Sequence, residues 1–126
     1  MSQKAEASRL WDIAEAITAI RKHVDRGTLD DELIFDACRM RLVEIGEAVK
    51  VLSPDLLAKE PSVPWSSIAR MRDRLVHHYK ATDTEIVAGV IAEELDDLHA
   101  AVGRLHTHLT APINQTTLKV DQEPSP

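Results

Sequence analysis

From Leu10 to Leu109 the apolar residues return at every third or fourth position. That spacing keeps one face of an α-helix apolar over several turns, whereas a half-buried strand needs alternation at every second residue. Leu10, Ile13 or Ala14, Ile17, Ile20 and Val24 mark a first helix from Ala7, after a polar stretch over residues 1–6 that is expected to fray. Gly27 is expected to end it by taking a positive φ, and Thr28 to Asp31 reads as the cap of the next helix. Ile34, Cys38, Leu42, Ile45, Val49 and Leu52 make the apolar stripe of that second helix. Its other face, with Asp31, Glu32, Arg39, Arg41, Glu44, Glu47 and Lys50, reads as an ordinary solvated surface. Ser53-Pro54 breaks the run, since proline suits the first turn of a helix and not its interior. A short helix or turn is expected from Pro54 to Lys59, then a connector to Pro64. Trp65 opens the third main helix, with Ile68, Met71, Leu75 and Val76 on its apolar side.

Thr82 and Glu85 have the spacing of a capping box and are expected to open a fourth helix. Its apolar positions are Val87, Val90 or Ile91, Glu94 or Leu95, Leu98, Val102, Leu105 and Leu109, and Pro112 stops it. Residues 111–126 have no periodicity and are expected to be disordered. One Phe, one Tyr and four Gly in 126 residues leave few strand formers, and Ala, Leu and the charged residues fill the gap. The expected fold is therefore all-α: an antiparallel bundle of four main helices plus a short connecting helix over 1–110, followed by a tail. The start of the chain has no basic segment leading into an apolar one, and no apolar run approaches about 18 residues, so a cytoplasmic protein that avoids the membrane is expected. A single cysteine, Cys38, suits a reducing compartment and reads as a small core residue.

Charge is distributed unevenly. Arg70, Arg72, Arg74 and Lys80, set against Asp73, give the segment 70–80 a charge of +3 in a chain whose net charge is −6. The remaining residues therefore sum to −9, which disfavours general attraction to polyanions and makes any anion site local. Within the segment, Arg72, His77 and Tyr79 supply a fixed cation, a group that titrates near neutrality and a phenol. Arginine presents a fork of donors to a phosphate, and histidine can carry a proton at pH 7. Together they suffice for attack of a ribose 2′-hydroxyl on its neighbouring phosphate, a reaction that needs no metal. On a regular helix Arg72 and Tyr79 share a face, but His77 lies about 140° round the axis from Arg72. The helix can end or unwind near His77, two copies of the chain can line one cleft, or both can hold. Taken without other information, a basic face with a histidine near a helix C-terminus is the commoner meaning of such a segment.

The run Arg72-Asp73-Arg74-Leu75-Val76-His77-His78-Tyr79, approached through Pro64-Trp65 and Ile68, resembles the R-x-x-x-x-H-x-Y motif of the HepT-like toxins. These belong to the HEPN superfamily of helical ribonucleases. Ile45-Gly46-Glu47-Ala48 is similar to that family's second helix, and the likeness spans roughly Leu10 to Leu109. The resemblance implies an all-α HEPN fold that dimerises, with the motifs of both subunits lining one composite active site. It implies a toxin of a toxin–antitoxin pair, a metal-independent endoribonuclease without cofactor, in which Arg72 and His77 are the catalytic pair. Tyr79 would be the residue to which an MNT-type nucleotidyltransferase antitoxin attaches AMP, placing charge and bulk on the face of Arg72. Asp73 would orient Arg72 or His77, and Arg70, Arg74, His78 and Lys80 are candidates for supporting or RNA contacts. The alternative is a non-catalytic HEPN subunit that binds a nucleotide or a nucleotidyltransferase as a regulatory module. His99, His106 and His108 do not converge at helical spacing and are not expected to hold a metal. Glu93, Glu94, Asp96 and Asp97 read as a solvated acidic patch, and Trp11 and Trp65 as core or interface anchors.

Overall fold

A computed structural model of the chain describes residues 2–77 and 80–111. Every element in it is a helix: α1 Gln3–Val24, α2 Glu32–Val51, α3 Pro54–Leu57, α4 Trp65–His77, α5 Lys80–Glu93 and α6 Leu95–Thr110. α1 lies between α2 and α6, and α2 packs in turn on α4. Leu10, Ile13, Ile17 and Ile20 of α1 meet Leu42 and Ile45 of α2, Leu75 of α4 and Val102 and Leu105 of α6 in one buried core. These are the positions that the threefold and fourfold spacing selects. The all-α bundle follows from it.

The N-terminus departs from expectation. α1 begins at Gln3, because the Ser2 hydroxyl accepts the Ala5 amide at 3.1 Å and caps the first turn. Glu6 is buried, and its carboxylate accepts the Ser53 amide at 2.8 Å, which ties the start of α1 to the α2–α3 junction. Residues 3–6 are thus helix held by tertiary contact, not a frayed end. Gly27 also behaves differently. α1 ends at Val24 with Asp25 as C-cap in the right-handed region, and Gly27 takes no positive φ. A Cβ there would stand 2.7 Å from Cδ1 of Ile34, the end of a side chain that can turn aside.

The expected cap of α2 is present, and Ser53 ahead of Pro54 caps α3 as well. The Asp31 carboxylate accepts the Leu33 amide at 2.8 Å, and the Ser53 hydroxyl accepts the Leu56 amide at 3.3 Å ahead of Pro54. Trp65 is buried at the start of α4, and its indole N–H donates to the carbonyls of Leu57 and Glu60. Trp11, by contrast, is 57% exposed and is not a core residue; its ring lies 6.1 Å from that of His106.

The long fourth helix of the sequence reading is two helices. α5 is already helical at Lys80, so Thr82 lies within its first turn and does not cap it. Asp83 in that turn is buried against Arg39 of α2, a tertiary anchor that local capping chemistry does not reveal. Glu94, at φ −120°, then separates α5 from α6 without a loop: its amide donates to Val90 and its carbonyl accepts from Leu98. An unbroken helix from Thr82 to Leu109 would run about 42 Å, against about 33 Å for α1. The break keeps Leu95, Leu98 and Val102 on the core. Among the described residues no helix is long and apolar enough to cross a membrane.

Candidate functional site

The site begins with an absent side chain. Gly46 lies on α2 where it crosses α4, and a Cβ there would stand 2.4 Å from Cβ of Arg72 and 3.2 Å from the Ile68 carbonyl. Only glycine allows the two backbones this close. Arg72 is thereby pressed against α2, one residue from Glu47. The Glu47 carboxylate accepts from Nη2 of Arg72 at 2.9 Å and from Nε at 3.2 Å, while Asp73 accepts from Nη1 at 3.1 Å. Lys50 donates to the same Asp73 oxygen at 2.9 Å.

Glu47 first, and then Asp73, hold the Arg72 guanidinium more firmly protonated than usual. Lys50, followed by Arg72, holds the Asp73 carboxyl below its usual range. Arg72 is therefore a fixed, oriented cation. A groove of about 810 Å³ runs from it along α1 and α2, where Arg9, Arg41 and Lys50 alternate with Asp12, Glu15, Glu44 and Glu47. Arg9–Asp12 and Arg41–Glu44 are already paired, so the groove carries mixed charge and not a continuous basic track.

His77 closes α4 and its side chain is exposed. No hydrogen bond joins it to Arg72 among the described residues. Helical geometry places His77 about 140° from Arg72 but within about 20° of Arg70. Among the described residues Arg70 bonds the Ser67 hydroxyl alone, at 3.4 Å, and Arg74 is exposed one turn further on; neither is paired with a described carboxylate. The two cations on the His77 side are thus open to a ligand while Arg72 is clamped. Arg70 and Arg74 also line a second groove, of about 690 Å³, with Glu85, Gly89 and Glu93 of α5, so the chain doubles back between α4 and α5. His78 and Tyr79 lie outside the described residues; Lys80 begins α5.

Glu47, Lys50 and Arg39 belong to the α2 face expected to be a solvated surface. That face is exposed at Glu47 and Lys50, and of these three only Arg39 departs from it. Glu47 and Lys50 reach across to Arg72 and Asp73. Arg39 turns inward to the Leu75 carbonyl, at 2.7 Å, and to Asp83. The available signal was Gly46, since a glycine inside an otherwise helical pattern marks close backbone approach. His99 meets Arg21 of α1 at 3.1 Å, and Asp96 pairs with the same guanidinium. Among the described residues no group of three or more His, Cys, Asp or Glu has the geometry of a metal site. Cys38 is buried in the core, which pushes its thiol pKa up.

An all-helical bundle that presents an oriented arginine five residues before an exposed histidine defines a class, that of all-α proteins with an R-x-x-x-x-H helix. Comparison with known proteins makes the assignment specific. The profile of the ribonuclease HepT-like family matches residues 13–105. The chain is 35% identical over 99 residues to "Putative RNase MJ0127" of Methanocaldococcus jannaschii, an alignment covering 75% of this chain and 82% of that protein. It is 29% identical over 107 residues to "Probable ribonuclease HepT" of Thermococcus cleftensis, covering 82% and 97%. No solved structure matches the chain at a comparable level. The chain belongs to the HepT-like ribonuclease family, within the HEPN superfamily.

Proposed function

We propose that the protein is the toxin of a toxin–antitoxin pair: a metal-independent endoribonuclease that acts as a homodimer. The carrying observation is the placement of Arg72 and His77 on one helix, fixed but turned about 140° apart. One regular helix does not aim both at a single phosphate with ease, whereas two facing subunits can. In that arrangement one His77 takes the proton of the ribose 2′-hydroxyl as its oxygen attacks the adjacent phosphorus. The bond from phosphorus to the 5′-oxygen breaks, and a second His77 supplies the proton to that leaving oxygen. The Arg72 guanidinium neutralises the charge gathered on the non-bridging oxygens. The products are a 2′,3′-cyclic phosphate and a 5′-hydroxyl.

The surface around Arg72 supports self-association. Met40 and Val51 are exposed on the α2 face that carries Glu47, and Val76 is exposed one turn after Arg72. Adenylylation of Tyr79 by an MNT-type nucleotidyltransferase antitoxin would add charge and bulk two residues after His77 in the sequence and silence the toxin. The test is cleavage of RNA in EDTA by protein whose intact mass excludes an added AMP, beside His77→Ala. Cyclic-phosphate products from the wild type, and none from the variant, are expected. Binding of RNA without any cleavage by the unmodified wild type would replace this reading with that of a regulatory binding module.

A further inference from the structure

We propose that Arg39 is a positioning residue for His77, acting through the last turn of α4; the proposal rests on the functional reading above. Arg39 sits on α2, its side chain only 17% exposed, and Nη2 donates to the Leu75 carbonyl at 2.7 Å. Its Nε stands 3.4 Å from the carboxylate of Asp83, which is 1% exposed in the first turn of α5. One guanidinium thus joins three helices at the end of α4 that carries His77.

Three physical points favour positioning over plain stability. The Leu75 carbonyl lies in the last described turn of α4, where helix carbonyls lose intrahelical partners and a cation interacts favourably with the dipole. Removing arginine and aspartate from water is expensive, and an apolar pair of similar size commonly holds a fold as well or better. What the charged pair supplies that an apolar pair does not is direction. Nη2 is aimed at the Leu75 carbonyl by a hydrogen bond, while the same rigid guanidinium is drawn to the Asp83 carboxylate by charge, without a hydrogen bond from Nε. His77 is two residues beyond that carbonyl, so the orientation of its backbone follows from where Leu75 is held. Arg39 is too buried to touch RNA itself. Its contribution therefore falls on turnover, and binding is left to the exposed cations.

The experiment uses the full chain with Arg39→Met/Asp83→Asn, which removes both charges together so that no buried ion is left alone. Unfolding midpoint, kcat, KM for RNA, and amide hydrogen exchange of residues 74–77 are measured on each protein. The expected result is an unfolding midpoint close to wild type and KM within about twofold. With it, kcat falls by about tenfold or more, and exchange at 74–77 quickens by a similar factor while α1 and α6 are unchanged. Should the double variant fail to fold, Arg39→Lys keeps the charge but lacks the fork; a smaller fall in kcat with faster exchange at 74–77 is then expected. Wild-type kcat and wild-type exchange in the folded variant would overturn the proposal, as would a loss of kcat with exchange at 74–77 unaltered. If the wild type itself cleaves no RNA, the functional reading fails by its own test, and the exchange measurement still decides whether Arg39 holds this turn.

Discussion

At the scale of the residue, the site depends on Gly46 as much as on Arg72. The missing Cβ brings α2 close enough for Glu47 to reach the guanidinium from the neighbouring helix. Gly46→Ala would raise helix propensity on α2 and yet is expected to destabilise the protein. The new methyl must displace the backbone of α4, an overpacking effect of about 1–3 kcal/mol. Equilibrium denaturation measures that change. RNA cleavage under conditions where the variant stays folded should fall further than the folded fraction does, because Arg72 moves with α4. Glu47→Gln makes a contrasting case: it keeps the hydrogen-bonding shape, removes the charge and should leave the denaturation midpoint almost unchanged, since the pair is exposed. A large loss of stability in Glu47→Gln would show that the clamp is structural.

The elements are joined by a few specific polar contacts at their ends. The segment between α3 and α4 is pinned by the Trp65 indole, which donates to the Leu57 and Glu60 carbonyls from a buried ring. Trp65→Phe preserves the ring packing approximately and removes the donor. A loss of about 1–2 kcal/mol in urea denaturation is expected, from the lost bond and the carbonyls left without it. Glu60 does more than accept that bond, for its carboxylate also grips Arg104 of α6 at 2.8 Å and 2.9 Å. Hydrogen bonding from Arg104 holds the Glu60 carboxyl below its ordinary range. A carboxyl depressed in the folded state lends stability above its unfolded pKa, and that stability disappears as pH falls through the lower folded value. Glu60→Gln should therefore be less stable than wild type at pH 7. The difference should close below about pH 4, the ordinary carboxylate range. Denaturation midpoints of both proteins across pH 2–7 check the sign.

For the whole molecule, the exposed apolar residues and the charge pattern point to the same face. Met40 at 49% and Val51 at 48% exposure lie on the α2 face that carries Glu47, and Val76 at 41% lies one turn after Arg72. Changing Met40 and Val76 together to Glu should leave the fold intact, because neither belongs to the core. It should convert a dimer to monomers in sedimentation and abolish cleavage if the active site is composite. Monomers that retain full activity would argue for a site complete within one subunit. The acidic remainder of the chain restricts polyanion binding to the 70–80 segment, so cleavage should weaken steeply with added salt only through Arg70, Arg72, Arg74 and Lys80.

Much of this protein is written in local spacing. Apolar residues three and four apart marked the main helices, though not the α5–α6 break. They marked most core positions, while Ala16, Phe35, Val43 and Ala101 were missed. Burial of one helical face is a property of neighbouring residues along the chain. Asp31 and Ser53 marked helix starts for the same reason: a cap bonds within its own turn. Types and spacing alone favoured a plain basic face for the segment of Arg72 and His77; it was the R-x-x-x-x-H-x-Y likeness that singled them out and led to a family that the comparisons establish. Where residues far apart in sequence meet, the spacing was silent. Glu6 on Ser53, Asp83 on Arg39, Glu47 on Arg72 and the break at Glu94 were decided only by the tertiary structure. A charged residue on a helical face looks the same in sequence whether it faces water or a neighbouring helix. The difference lies in which helix packs there, and closure of the bundle decides that.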